Sequence, residues 1–122
     1  RLGKAPLDLP AFRRRFALAQ AGISEPDDPQ WSPLLRIAER LPEDMLAPFM
    51  LIGRAAMDGL PCPDDGAIGR AYGTSSTGRV RRLIDYMEKQ GVIVVRTDFG
   101  GRRSVVVPDL GVMAGMAGEY RE

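Results

Sequence analysis

The chain has 122 residues, enough for about one domain, and its 44% apolar and 27% charged residues are typical of a folded globular protein. It contains no histidine and one cysteine, Cys62, which excludes an internal disulfide, Ser-His catalysis and the common zinc ligand sets. The net charge is only +1. No apolar run approaches the roughly 18 residues that a membrane span needs, so we expect a cytoplasmic protein without membrane contact. No cofactor is expected.

The first predicted helix covers residues 9–21, because Asp8 can cap its start and Gly22 follows its end. Its apolar positions at helical spacing share one face, and they are Leu9, Phe12, Phe16 and Ala19. The three consecutive arginines at 13–15 lie mostly off that face, and we expect them to be solvated.

Two further helices are predicted before residue 60. Ser32 followed by Pro33 is a favourable helix start, and Trp31 is expected to pack back onto that helix. The next helix covers residues 46–58, with Pro48 in its first turn and Gly59 after its end. Its expected buried residues are Leu46, Phe49, Met50, Gly53 and Met57.

Residues 64–90 predict a helix-turn-helix. A short helix over 66–72 can be capped by Asp64 or Asp65 and ended by Gly73, a residue that readily adopts the left-handed conformation. Hydroxyl side chains then offer caps for the second helix, at Thr74, Ser75 and Ser76. In that helix one apolar stripe has the i, i+3, i+4, i+7 spacing, formed by Val80, Leu83, Ile84 and Met87. Arg79, Arg82 and Tyr86 project away from the stripe, and Arg81 lies at its margin.

The next segment changes from helical to strand periodicity. Residues 92–95 are all β-branched and predict a strand, 97–101 predict a turn with two glycines, and 104–107 predict the return strand. Together they form a β-hairpin with Arg96 before its tip and Arg102 and Arg103 after it. The stretch 111–118 (GVMAGMAG) is expected to be a flexible or weakly helical tail.

Positive charge is concentrated in this part of the chain. Residues 69–103 carry eight basic and three acidic side chains, although the whole chain is close to neutral. A localised basic region on a near-neutral protein is typical of a nucleic-acid-binding face.

The run SSTGRVRRLIDYMEKQGVI at 75–93 resembles the recognition helix and following strand of winged helix-turn-helix regulators. The hydroxyl residues at the helix start, the Leu83-Ile84-Asp85 block, Glu88 and Gly91 carry the resemblance, which is nearest to the MarR-like type and next to the GntR-like type. It covers about residues 46–108 and implies a mainly α fold with a small β-hairpin as the wing. Gly78 within the helix departs from the pattern, and residues 1–45 match no particular effector or dimerisation domain.

The resemblance implies binding of double-stranded DNA and regulation of transcription. Ser76, Thr77, Arg79 and Arg82 are the expected contacts to base edges in the major groove. Thr74, Ser75 and the helix amides would hold a phosphate, and Arg102 and Arg103 would lie along the backbone or in the minor groove. Arg81 and Arg96 complete the predicted interface. Gly78 either allows close backbone approach to DNA or is incidental.

Residues 1–45 are interpreted as a helical extension for packing or dimerisation, 46–108 as the winged domain and 109–122 as a C-terminal tail. We expect a homodimer, because two-fold proteins read palindromic sites, with Phe12 and Phe16 at the interface or else closing the monomer core. No convergent polar groups mark an effector pocket.

Two other functions stay open: a winged-helix module that binds proteins, and a replication or partition factor that binds DNA. An enzyme is not expected, because the paired carboxylates Glu43-Asp44 and Asp64-Asp65 stand at predicted helix starts, where capping accounts for them. The glycines of 111–118 lack the strand and helix that flank a phosphate-binding loop.

Overall fold

The computed structural model describes residues 9–25, 27–100 and 102–115. This part of the chain is mainly helical, with five α-helices and two short 3-10 turns followed by a small antiparallel sheet, which confirms the expected class. The helices are α1 (Leu9–Gln20), α2 (Ser32–Ala38), α3 (Leu46–Met57), α4 (Asp65–Tyr72) and α5 (Thr77–Lys89). The strands are β1 (Val94–Thr97), β2 (Arg103–Val107) and β3 (Val112–Ala114).

The centre of the molecule is α3, which begins where the sequence predicts and carries Pro48 in its first turn. It is apolar on almost every side, and Phe49, Met50 and Ile52 are fully buried. It packs against α1, α2, α4, β2 and β3, so one core joins the N-terminal helices to the sheet. At Gly53 of α3 a Cβ would lie 2.6 Å from a methyl group of Leu34 on α2, so the glycine lets the two helices approach each other closely. None of the described helices combines the length and apolarity required to cross a membrane.

The aromatic side chains of α1 do not close the monomer core, which was one of the two roles left open for them. Phe12 and Phe16 are 56% and 60% exposed, whereas Leu18 and Ala21 are buried. The helix enters the core at its C-terminal end, where the chain turns at Gly22 (φ +84°) into the buried Ile23. Helical spacing identifies an apolar face, but it does not tell which part of a helix the rest of the chain will cover. The proposed cap Asp8 and the side chain of Leu9 lie outside the described residues.

The start of α2 also differs from the prediction. The cap is Asp28, whose carboxylate accepts a hydrogen bond from the Gln30 amide (3.0 Å) and begins the 3-10 turn Pro29–Trp31. Ser32 is therefore already helical and donates its amide to the Pro29 carbonyl instead of capping. Trp31 is buried, as expected from its place beside the helix.

The hairpin forms between β1 and β2, paired antiparallel with Val95 opposite Val105. Its first strand starts two residues later than predicted, because Val92 and Ile93 are buried in the core before pairing begins.

A third strand was not expected. The prediction of a flexible or weakly helical tail is wrong at 112–114, where β3 pairs antiparallel with β2. The chain reverses at Gly111 (φ +68°), and the Cys62 amide then donates to the Gly115 carbonyl (2.8 Å). The sheet is thereby fastened to the loop between α3 and α4. A strand of three residues offers too short a pattern for its alternation to be recognised.

Candidate nucleic-acid interface

Two glycines make the turn between α4 and α5. Asp64 caps α4 by accepting a hydrogen bond from the Ala67 amide (2.8 Å), and Gly73 ends the helix at φ +91°. The amides of Gly73 and Thr74 both donate to the Gly69 carbonyl, at 2.7 and 2.8 Å. A Cβ at Gly69 would lie 2.6 Å from the Thr74 carbonyl oxygen, so only glycine fits where the chain folds back. The sequence predicted Asp64 and Gly73 correctly, but nothing in it singled out Gly69.

The hydroxyl groups at the start of α5 have specific local bonds. Thr74 Oγ1 accepts a hydrogen bond from the Ser76 amide (3.1 Å), and Ser76 Oγ accepts one from the Arg79 amide (3.2 Å). Ser76 is therefore the cap, and α5 begins at Thr77. Ser75 and Thr77 are exposed beside them. Two of the four hydroxyls predicted as DNA contacts thus also hold the turn in shape.

The apolar stripe of α5 is buried as predicted, at Val80, Leu83, Ile84 and Met87. Its burial turns three arginines outward, and Arg79, Arg81 and Arg82 are all exposed. None of the three makes an ion pair with any residue that the structure describes. Their guanidinium groups are therefore open to an anionic partner.

These arginines face different surroundings around the helix. Arg79 and Arg82 line an open hollow of about 300 Å³ with Tyr72, Tyr86, Met45 and Leu83. Arg81 lies roughly 100° around the helix from Arg82, on the side where Glu88 accepts a hydrogen bond from the Val95 amide of β1 (3.0 Å). Gly78 is exposed, and a Cβ there would meet nothing closer than 3.7 Å. The outer face of α5 thus carries exposed backbone at Gly78, the guanidinium groups and the exposed carboxylate of Asp85, with Tyr72 and Tyr86 along one side.

The tip of the hairpin is closed by Asp98 and Arg102. The Asp98 amide donates to the Arg102 carbonyl (2.9 Å), and the Asp98 carboxylate accepts from the backbone amide and the Nε of Arg102, both at 2.9 Å. The Arg102 amide, and then its guanidinium, lower the pKa of the Asp98 carboxyl. Arg102 is thus paired but half-exposed, Arg96 is exposed without an ion pair among the described residues, and Phe99 projects fully into solvent.

Arg103 does not lie on the outer surface of the hairpin as the sequence predicted. It shares the inner face of β2 with Val105 and Val107, and its guanidinium bonds Asp65 at the start of α4 (2.5 Å). The side chain is only 24% exposed. Beside it, burial raises the pKa of the Cys62 thiol, partly offset by the Arg103 charge. The alternation 103, 105, 107 was the signal that could have placed this arginine inward.

The structure therefore exposes most of the predicted site residues on α5, on the turn before it and on the outer side of the hairpin, and it turns Arg103 inward. No group of three or more metal-ligating side chains comes together within the described residues. Comparison with protein-family models, curated proteins and solved structures found no match. The chemistry of this surface is consequently the basis for a functional proposal.

Proposed function

We propose that the protein is a cytoplasmic transcription regulator of the winged helix-turn-helix type that binds double-stranded DNA, with α5 in the major groove and the β1–β2 hairpin as the wing. The observation that carries this proposal is the set of three exposed arginines without ion pairs on the outward face of α5. A helix of this width fits the major groove of B-DNA, and guanidinium groups match both guanine edges and phosphates.

The surroundings of each side chain support a division of roles. Arg82 stands beside the bare Gly78 at the centre of the outer face, which suits it to a guanine edge in the groove. Thr77 and Arg79 near the helix start contact bases beside it. Tyr72 and Tyr86 border the hollow next to Arg79 and can donate hydroxyl bonds to one phosphate strand. The amides at the helix start, with Thr74, Ser75 and Ser76 around them, hold another phosphate.

In this proposal the wing contacts the DNA backbone through Arg96 and Arg102. Arg81 contacts the backbone between the wing and the helix. Arg96 is free of ion pairs in the described chain, and Arg102 leaves half of its side chain exposed. Arg103 is proposed to stabilise the fold and not to contact DNA, because its guanidinium forms an ion pair with Asp65.

A homodimer is part of this proposal. Phe12 and Phe16 stand one helical turn apart on α1 and expose more than half of their surface, which makes α1 the best candidate for the two-fold contact. Sedimentation of the wild type beside the Phe12→Ser, Phe16→Ser double variant tests it. A monomeric wild type at working concentration contradicts the dimer.

A protein-interaction module is the second candidate, because the outer face of the sheet is partly apolar. Val94, Val106 and Met113 are cross-strand neighbours on that face, and Val94 and Met113 are 40% and 50% exposed. A replication or partition factor would use the same DNA surface as a regulator.

Titration of the full chain against fluorescent random-sequence duplexes at rising salt tests the proposal. Binding is expected to weaken linearly in log salt, by about 0.9 in the log affinity per phosphate contacted. The Arg79→Ala, Arg82→Ala double variant is expected to bind more weakly, and the Arg36→Ala, Arg40→Ala double variant on and after α2 serves as its charge-matched control. Absence of binding at low salt, or binding that ignores salt, contradicts DNA recognition and favours the protein-interaction module. Selection from random duplexes then identifies the preferred sequence.

A further inference from the structure

Phe99 at the tip of the hairpin is the most exposed large apolar side chain among the described residues, at 112% of its reference area. A buried phenylalanine stabilises a fold by removing its apolar surface from water, and this exposed one contributes nothing of that kind. Its replacement should therefore leave folding intact, and the side chain is available to a partner.

Hydrogen bonds between Asp98 and Arg102 join the two ends of the turn that carries Phe99. The Asp98 carboxylate accepts two hydrogen bonds from Arg102, from the backbone amide and from Nε, both at 2.9 Å. The backbone bond from the Asp98 amide to the Arg102 carbonyl closes the same turn. An aromatic ring on a turn whose ends are bonded together loses less conformational entropy on binding than one on an unrestrained loop.

The charges around Phe99 indicate which partner it fits. Arg96 and Arg102 flank it, while Asp98, the one acidic residue between them, is turned back to Arg102. An aromatic side chain beside arginines also occurs in protein interfaces, but the two positive flanks of this ring match a polyanion. A DNA groove has the complementary arrangement, with phosphates on its two rims and apolar base faces within.

We propose that Phe99 is a wedge that enters the minor groove and partly unstacks one base step, so that the protein bends the duplex it binds. This inference rests on the proposed function, because α5 in the major groove brings the hairpin to the neighbouring minor groove. Apolar wedges of this kind kink DNA, and pyrimidine–purine steps such as TA yield most easily. The Asp98–Arg102 bonds hold the ring at the height of the bases while Arg96 contacts the rim.

The test uses the full chain and a short duplex with TA steps, in which 2-aminopurine replaces one adenine and a donor and acceptor dye label the two ends. The wild type is expected to raise the 2-aminopurine fluorescence and to increase energy transfer between the ends. Phe99→Ser is expected to lose both signals and to bind roughly tenfold more weakly, which corresponds to about 1.4 kcal/mol. Its salt slope should not change, because an apolar contact releases no counterions. Phe99→Leu should retain most of both signals.

Met113→Ser is the matched control, because Met113 is an exposed apolar residue on the opposite edge strand of the same sheet. It is expected to leave unstacking and bending unchanged. If wild type and Phe99→Ser bind duplex DNA equally without unstacking, the wedge is overturned while DNA binding stands. If the wild type binds no duplex at low salt, the proposed function fails, and the wedge fails with it.

Discussion

The six arginines that the sequence predicts at the interface have the same chemistry but different surroundings in the fold. Arg79, Arg81 and Arg82 were placed outward by the helical stripe beside them, and the structure agrees. Arg103 was misplaced, because the basic pair at 102–103 was interpreted as one patch although neighbouring strand residues point to opposite faces. A strand directs arginines inward and outward in turn, so charge counted along the chain overstates the charge on the surface.

Arg82→Ala and Arg81→Ala are expected to act differently on DNA binding. Loss of a base contact at Arg82 should reduce discrimination between the preferred and a random duplex by about 1–3 kcal/mol. Loss of a phosphate contact at Arg81 should weaken binding to both duplexes alike and lower the salt slope by about 0.9. Fluorescence anisotropy with both duplexes at several salt concentrations measures the two effects. The same loss for both variants on both duplexes contradicts the division of roles.

Gly69→Ala and Gly78→Ala are expected to change stability in opposite directions. A methyl group at residue 69 would lie 2.6 Å from the Thr74 carbonyl oxygen, and such overpacking costs about 1–3 kcal/mol. Residue 78 is an exposed helical position with open space, where alanine gains up to about 1 kcal/mol. Urea unfolding of the two variants and the wild type measures both changes. Equal stability of Gly69→Ala and the wild type rules out the tight turn. If Gly78→Ala also weakens DNA binding, the exposed backbone at residue 78 is part of the DNA interface.

At the scale of elements, the orientation of the hairpin relative to the two helices rests on two contacts. Glu88 of α5 accepts a hydrogen bond from the Val95 amide of β1, and Asp65 of α4 pairs with Arg103 of β2. Side chains therefore tie both strands of the hairpin to the helices beside it. Neither tie was predictable from periodicity, because each joins elements whose relative position depends on the whole fold.

Asp65→Asn is expected to weaken DNA binding, although it removes a negative charge from a protein that binds an anion. The reason is that Arg103 loses its partner, which leaves a half-buried guanidinium uncompensated and the hairpin less well positioned. We expect a loss of about 1 kcal/mol of folding stability and weaker binding at all salt concentrations. Asp85→Asn on the exposed face of α5 is the control, and it should bind at least as tightly as the wild type. Tighter binding by Asp65→Asn would contradict the positioning role.

The bonds at the hairpin tip should depend on pH only in acid. Since Arg102 lowers the pKa of the folded Asp98 carboxyl, this group favours the folded tip above the ordinary aspartate pKa, and the contribution is lost as the pH falls through the lowered value. We expect the Asp98–Arg102 bonds to persist at neutral pH and to open only below the ordinary pKa of an aspartate. Carboxyl carbon shifts of Asp98 followed by NMR measure this. An ordinary or raised pKa would show that the bonds do not form.

At the scale of the whole molecule, the helices and the hairpin were predictable because their signals are local. The α5 stripe, the Asp64 cap and the Gly73 turn each depend on residues within a few positions of one another. Other features depend on which distant segments meet in the fold. They are the exposure of Phe12 and Phe16, the strand β3 and the hydrogen bond from Cys62 to Gly115. The spread of one core from Leu18 to Ala114 is likewise a property of the whole chain, centred on α3.

The central claim is that the exposed arginine face of α5 lies against DNA. NMR spectra of the arginine Nε–H groups, recorded while a duplex from the selection is added, test it most directly. Large shifts are expected for Arg79, Arg81, Arg82 and Arg96, and unchanged signals for Arg36 and Arg40 on and after α2. Unchanged signals of Arg79, Arg81 and Arg82 while the duplex binds, or no shifts at all, would contradict the claim.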